Sequence, residues 1–319
     1  MKAVGVGMFG GPEALQMYDL AEPHAGPGQV RIRVHAASVN PGDRYVRNGA
    51  LGRIGGSPPY IPGMEAAGVI DEIGEATSSE LRIGDRVMAA TMPTVPGGGA
   101  YAQYLCLPAD WVTRAPAGMS HAQAATLPMN GLTSRQALDL LGLSAGQTLA
   151  VTGSAGLIGG YVIQMAKADG LTVAVDAAPA DEELVRSLGA DLIVPRGSHF
   201  GRRVRQAVPN GVDGIVDTAG LISAAVAPAV RDGGSIATLL GDSLHSISAA
   251  EQRLRSLTLH AVYVPDYLGD PAKLTRLRLQ AEAGELTPRI AQIFPAERAR
   301  DAHLLMEASG ARGRLVLEF

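Results

Sequence analysis

One stretch constrains this chain more than any other: Leu149-Ala150-Val151-Thr152-Gly153-Ser154-Ala155-Gly156-Leu157-Ile158-Gly159-Gly160. An apolar run, a glycine-rich turn and a second apolar run predict a strand, a tight turn and a helix. Glycines at 153, 156 and 159 let the backbone turn sharply and let its N–H groups approach a pyrophosphate at the helix N-terminus. Residues Gly153, Ser154, Ala155, Gly156, Leu157 and Ile158 are the candidate cradle. The spacing is G-x-x-G-x-x-G, not G-x-G-x-x-G, and a turn that only packs helix on strand is the competing reading. Context favours dinucleotide binding, because a following strand ends in Asp176, 20 positions after Gly156. There a carboxylate would accept from ribose hydroxyls and repel a 2′-phosphate, which favours NADH over NADPH. The competing role for Asp176 is helix entry, ahead of Ala177-Ala178-Pro179.

The texture of the chain sets this motif in a larger pattern. From about residue 133, apolar strands at 148–152, 171–175, 191–194, 214–216, 235–240 and 258–264 alternate with helical stretches such as 157–168, 182–188 and 249–257. The first of these helices carries Ile158, Val162, Met165 and Ala166 on one face. Such alternation predicts an α/β fold with a doubly wound parallel sheet covered on both faces. Residues 1–120 instead show short β-type runs at 30–39, 67–73, 86–90 and 101–107, punctuated by Gly and Pro. A helix near 297–308 and strands at 290–294 and 314–318 close the sequence.

Composition removes several classes of function. A length of 319 residues favours two domains. One cysteine excludes an internal disulfide framework and a multi-thiolate zinc site. The seven histidines show no H-E-x-x-H spacing, and each is expected to be a satisfied surface or core residue; no metal site is expected. The formal charge of −4 gives no attraction to nucleic acid or an anionic membrane. The opening MKAVGVGMFGGPE reads as a strand and turn, not a signal peptide, and no apolar run reaches membrane-spanning length. The expected location is the cytoplasm. There is no G-x-S-x-G, and no tyrosine is followed four positions later by lysine, which argues against a serine hydrolase and a short-chain dehydrogenase.

Further segments carry a resemblance. They are Ala37-Ser-Val-Asn40-Pro-Gly-Asp43-Arg-Tyr45-Val-Arg47-Asn-Gly49, Pro62-Gly63-Met-Glu65-Ala-Ala-Gly68-Val-Ile-Asp-Glu-Ile-Gly74, Gly84-Asp85-Arg86-Val87, Asn130-Gly131-Leu132-Thr133, Leu188-Gly189-Ala190-Asp191 and Gly313-Arg314-Leu-Val-Leu. Together with the glycine turn, in this order, they resemble the zinc-independent quinone oxidoreductase branch of the medium-chain dehydrogenase/reductase superfamily.

The resemblance implies a GroES-like β-rich catalytic domain over 1–122, completed by 287–319, and a Rossmann domain over 123–286, with substrate in the cleft. It implies a homodimer joined through the edge of the Rossmann sheet. It also implies an enzyme without zinc: Asn40–Asp43 stands where zinc-dependent relatives carry a cysteine, and Met64 where they carry a histidine. By the same carry-over, Asn40 and Tyr45 would border the nicotinamide and the substrate carbonyl, each able to hydrogen-bond an oxygen that gains charge. Their competing roles are turn former and core packing. Asp43 would cap the short helix through Arg47, and Glu65 would be structural. Thr133 would touch the cofactor, or else cap a helix. Thr218-Ala219-Gly220 and Leu240-Gly241 would line the ribose and nicotinamide, and Val262 to Val264 would add backbone contacts. The branch uses NADPH, with small hydroxyl residues and a lysine near the 2′-phosphate. Here those places read Ala177, Ala178 and Asp181, behind Asp176, so the balance falls slightly to NADH. Leu51-Gly52 replaces a tyrosine of the quinone pocket in several relatives. The expected reaction is hydride transfer from NAD(P)H to a quinone. Its alternatives are reduction of an α,β-unsaturated carbonyl and a dinucleotide-binding redox sensor without turnover.

Overall fold

The β-rich first third folds as its Gly/Pro punctuation predicts. The structure is a computed structural model that describes residues 1–51, 57–221, 223–239, 241–308 and 310–319. In chain order, the first third contains β1 (Lys2–Gly5), β2 (Gln16–Asp19), β3 (Gln29–Val39), α1 (Asp43–Arg47), β4 (Glu65–Ile73), β5 (Arg86–Ala90), β6 (Tyr104–Pro108), β7 (Val112–Arg114) and α2 (His121–Ala124). Helix α3 (Pro128–Leu141) follows. The middle comprises β8 (Thr148–Thr152), α4 (Leu157–Ala168), β9 (Thr172–Ala177), α5 (Glu182–Ser187), β10 (Leu192–Pro195), α6 (Phe200–Ala207), β11 (Val212–Asp217), α7 (Ser223–Val226), β12 (Val230–Thr238), α8 (Ala249–Leu254) and β13 (Thr258–Ala261). The last part holds α9 (Pro271–Glu282), β14 (Ile290–Pro295), α10 (Ala299–Glu307) and β15 (Arg314–Glu318).

Two compact units result. Met1–Leu132 joins Pro265–Phe319, and Thr133–Val264 forms the other. In the first, the chain returns so that β15 pairs antiparallel with β3, giving a sheet ordered β14-β15-β3-β4-β5-β7, with β6 also on β3. Alternate residues of β3, Val30, Ile32 and Val34, are buried in its core with Leu105, Leu107 and Leu315. In the second, β10-β9-β8-β11-β12-β13 are parallel throughout, the doubly wound order 3-2-1-4-5-6. Leu149, Ala150 and Val151 of β8 are fully buried, as a strand covered on both faces must be. On α4, Val162, Met165 and Ala166 are buried, while Ile158 at the helix start is half-buried.

The joins lie at Leu132/Thr133 and Val264/Pro265, where the sequence reading set them at 122/123 and 286/287. Packing is the reason. Helix α9 packs on β7, its Leu274 and Leu277 are buried, and a Cβ on Gly131 would fall 2.8 Å from Leu277 Cδ1. Among the described residues, no helix is long and apolar enough to cross a membrane.

Candidate active site

Gly153 turns the chain at the end of β8 in a left-handed conformation (φ +63°), which glycine adopts without a Cβ penalty. A Cβ there would meet Thr218 Oγ1 at 2.6 Å. Gly159 has the opposite task. A Cβ on it would sit 2.4 Å from the Gly153 carbonyl oxygen, so only glycine lets α4 press onto its own entry turn. Gly156 is the N-cap of α4 and offers no capping side chain, leaving the first N–H groups of this 12-residue helix without one. Aligned dipoles make that end electropositive, so the turn suits an anion. Ser154, Ala155 and Leu157 are buried walls of the turn.

Asp176 lies inside β9, buried and already engaged. Its Oδ1 accepts the Ser154 N–H at 3.1 Å, and the Ser154 hydroxyl donates to its carbonyl. Its Oδ2 lies 3.4 Å from Arg196 Nε. The helix-entry role does not hold, since Ala178 caps the turn that follows. At the end of β11, Thr218 Oγ1 donates to the Thr152 carbonyl at 2.7 Å, and Ala219 N–H points at Asp217 Oδ1 at 3.3 Å. Asp217 had no place in the sequence reading. It takes the Thr152 hydroxyl at 2.5 Å and the Leu221 amide at 3.2 Å, and burial pushes its carboxyl above the usual range. Position after an apolar β-run is the signal that could have found it. The turn, Asp176, Thr218 and Ala219 therefore meet at the carboxyl ends of β8, β9 and β11, where open α/β sheets bind ligands.

The remaining cofactor candidates are more scattered. Thr133 is half-buried within α3, so it is no helix cap; its neighbour Ser134 donates to the Ile158 carbonyl at 3.3 Å. Gly241 opens a 3-10 turn, Gly241–Ser246, while Leu240 lies outside the described residues, as does Gly52. The Val262 N–H extends the β12 edge to the Thr238 carbonyl at 2.9 Å, and Val264 opens the turn Val264–Tyr267.

In the first unit, the polar side chains around Asn40 are spent on one another. Glu65, fully buried on β4, accepts from Asn40 Nδ2 at 3.0 Å, Asn130 Nδ2 at 2.6 Å and the Met129 amide at 2.8 Å, and from the Ser38 hydroxyl. Arg314, from β15, donates to Asn130 Oδ1 and to the Val39 carbonyl at 3.2 Å. Burial pushes the Glu65 carboxyl up, while the Arg314 charge and the donors oppose it. Asn40 Nδ2 also donates to Ser38 Oγ at 3.0 Å, so both its hydrogens are committed. A carboxylate only accepts, which fixes the amide orientation and leaves Oδ1 as the atom Asn40 can offer a ligand.

Asp43 does not cap α1, and Arg47 is not its partner. The N-cap is Gly42, without a capping side chain. Asp43 accepts instead from the Asn40 amide at 2.7 Å, the Gly63 amide at 2.8 Å and the Tyr101 hydroxyl at 3.0 Å. Burial lifts its carboxyl to about 6 against these donors. Arg47 turns to His303 Nδ1 at 3.0 Å and Glu307 at 2.5 Å, binding α1 to α10. His303 Nε2 completes the chain to the Tyr101 hydroxyl at 3.3 Å. Desolvation, then the Arg47 charge, lower His303 to about 3, so it is neutral. Tyr45 is half-buried, with the Arg44 guanidinium 5.0 Å above its ring and Arg44 Nη2 3.3 Å from its hydroxyl. That oxygen accepts from Arg44 and keeps its own proton to donate.

Among the described residues, no group of three or more His, Cys, Asp and Glu is placed to hold a metal ion. Cys106 is half-buried on β6, its thiol pushed up to about 11 by desolvation. Two histidines depart from the expectation of satisfied residues: the rings of His35 and His121 stack 4.5 Å apart, and His35 Nε2 and His121 Nδ1 are buried without a hydrogen-bond partner.

Comparison with known proteins identifies the family. Residues 26–117 match the alcohol dehydrogenase GroES-like domain family, and 188–317 the zinc-binding dehydrogenase family. The chain is 30% identical to a quinone oxidoreductase of Pongo abelii, over 99% of this chain and 97% of that one. It is also 30% identical to an NADPH-dependent alkenal/one oxidoreductase, chloroplastic, of Arabidopsis thaliana, covering 99% and 79%. The quinone oxidoreductase structure from Coxiella burnetii superposes with a TM-score of 0.86 at 27% identity, covering 100% of this chain and 99% of that one. The chain is an NAD(P)H oxidoreductase that belongs to the medium-chain dehydrogenase/reductase superfamily, in its quinone oxidoreductase-like branch.

Proposed function

We propose that this protein reduces a quinone or a similar electron-poor acceptor, without a metal, at the expense of NADH. The second unit suits the dinucleotide: Gly159 lets α4 press onto its entry turn, where a Cβ would strike the Gly153 carbonyl, and the start of α4 has no capping side chain to compete with a pyrophosphate for its N–H groups. When bound, the dihydronicotinamide supplies a hydride, two electrons with one hydrogen nucleus, and is left as the oxidised pyridinium. Asn40 and Tyr45 are the residues we assign to the reacting groups, and Thr133, Thr218, Ala219, Leu240, Gly241, Val262 and Val264 to the cofactor. The reduced acceptor is an anion, which takes its proton from water or Tyr45.

One observation carries the choice of a quinone. Both carboxylates next to Asn40, Asp43 and Glu65, are buried and saturated with hydrogen bonds, and the Asn40 N–H groups are committed as well. Among the described residues beside Asn40, no carboxylic acid is left to protonate a carbanion, whereas the hydroquinone monoanion formed when a quinone accepts a hydride is protonated on oxygen by water without help. Asn40 then accepts a hydrogen bond from the ligand instead of stabilising an oxyanion, and the Tyr45 hydroxyl is the donor. The same hydroxyl supports a second reading, reduction of enals and enones, where a proton must reach carbon. A panel of quinones, enals and enones, followed by NADH oxidation, separates the two. Tyr45→Phe should cut kcat/KM on enones by about tenfold or more and on quinones by about threefold or less. Equal losses would remove Tyr45 as proton donor, and no turnover of any quinone would overturn the reading.

Two finer assignments accompany it. Asp176 favours NADH, and a kcat/KM for NADPH above that for NADH would reverse this. A homodimer would form through β13, the terminal strand of the second sheet, whose row of backbone groups is open to pairing. Light scattering reporting a monomer would exclude it.

A further inference from the structure

Two carboxylates share one guanidinium beside the glycine turn. Arg196 follows β10 and sets its Nε 3.4 Å from Asp176 Oδ2 and its Nη2 3.3 Å from Asp181 Oδ2. The acids are enclosed, their side chains 2% and 4% exposed, whereas the Arg196 side chain keeps 41%. Asp176 is tied from both sides, since its other oxygen holds the Ser154 amide. The group of this cluster that faces solvent is therefore the cation. A second guanidinium, Arg203, braces the same loop by donating to the Pro195 and Arg196 carbonyls at 2.7 and 3.1 Å.

These placements change what Asp176 can do. With the glycine turn holding a pyrophosphate, the adenosine ribose lies at the end of β9, beside Asp176. A ribose diol adds no charge there. A 2′-phosphate adds between one and two negative charges and needs a cation. Arg196 is a cation at that place, 41% exposed and with donors to spare, but its charge is already shared between Asp176 and Asp181. Asp176 alone, neutralised by Arg196, is a poor discriminator. Asp181 is the acid that keeps the trio of Asp176, Asp181 and Arg196 at a net charge of −1. We infer that the Asp181–Arg196 pair, rather than Asp176 alone, sets how far this protein tolerates NADPH relative to NADH. This rests on the dinucleotide reading of the turn given above.

The test measures the dissociation constants of NAD⁺ and NADP⁺ by calorimetry, alongside kcat/KM for NADH and NADPH with one quinone. Asp181→Asn keeps the side-chain volume and removes one charge, so the affinity ratio should move toward NADP⁺ by about fivefold. Arg196→Ala should move it about tenfold the other way, and both shifts should shrink at high salt. Arg196→Ala strands two buried acids and can lose its fold, so Asp181→Asn decides the matter by itself. A ratio unchanged within twofold in Asp181→Asn, or equal loss of both dinucleotides, overturns the inference while the turn still binds. Failure of the wild-type protein to bind either dinucleotide overturns the reading of the turn itself, and this inference with it.

Discussion

The glycine turn of the second unit and the Asn40–Glu65 cluster of the first shape their surfaces by opposite means. At the turn, side chains are left out: Gly153 frees the backbone and Gly159 removes a Cβ that would strike a carbonyl oxygen at 2.4 Å. Around Glu65, side chains are packed in until nearly every donor has an acceptor. The first surface depends on backbone groups remaining open. The second depends on polar groups being closed against one another, so that a single atom, Asn40 Oδ1, is presented. A backbone cradle tolerates sequence variation around its glycines. A saturated cluster tolerates none of its members being removed singly, because each deletion strands a buried partner.

Glu65→Ala is the severest way to break this contrast. It strands the donors of Ser38, Asn40, Asn130 and Met129, and should cost about 3–5 kcal/mol in chemical denaturation. A loss below about 1 kcal/mol would mean the cluster is not closed.

Acid is a milder probe of the same unit. His303 is neutral in the fold, with its pKa lowered to about 3, but ordinary at ~6.5 when unfolded. The unfolded chain therefore binds the extra proton first, and His303 costs stability as pH falls from about 6.5 toward 3. By pH 4 the cost approaches about 3 kcal/mol. Asp43 runs the other way: its raised pKa, about 6, makes the fold gain as pH falls from there toward 3.8. The two oppose between pH 6 and 4, so the steep loss lies below 4. Thermal melts of wild type and His303→Phe from pH 7 to 3.5 should show a shallower acid decline in the variant. Parallel curves would take His303 out of the account.

Gly159→Ala sharpens the other side of the comparison. Alanine gains about 1 kcal/mol in helix propensity, yet its Cβ must displace the Gly153 carbonyl. The backbone clash wins, with a net loss of about 1–2 kcal/mol and dinucleotide affinity falling about tenfold or more by fluorescence titration. An unchanged dissociation constant would show that the turn does not hold the pyrophosphate. The smallest effect expected is at Cys106, whose thiol at about 11 should resist alkylation at pH 7.5 in the native protein. Rapid labelling there would contradict its desolvation.

Much of the fold was readable because its signals are local. The strands at Thr148–Thr152 and Arg86–Ala90, the helix Leu157–Ala168 and the strand Arg314–Glu318 have the predicted limits. Elsewhere tertiary contacts moved the ends. The strand expected at 101–107 begins only at Tyr104, because Tyr101 is buried with its hydroxyl on Asp43. The run expected at 258–264 ends at Ala261, past which the backbone turns into Val264–Tyr267. The run expected at 235–240 extends back to Val230 and ends at Thr238. Asp43 was misread for the same reason: a helix-start aspartate looks like a cap until Gly63 and Tyr101 arrive from elsewhere in the chain.

The sequence by itself determined the alternation that makes a parallel sheet, the glycine turn, and the family, all written in neighbouring residues and short spacings. Only the tertiary structure decided which atom each site residue presents. Asn40 is left with its oxygen to offer because Glu65 takes its nitrogen, and Asn130 and Arg314 complete that cluster from 184 positions apart. Arg196 reaches Asp176 from the loop after a separate strand and changes what that acid can repel. Periodicity and turn chemistry are set by adjacent backbone, whereas a buried donor pairs with whatever acceptor the fold brings within 3 Å.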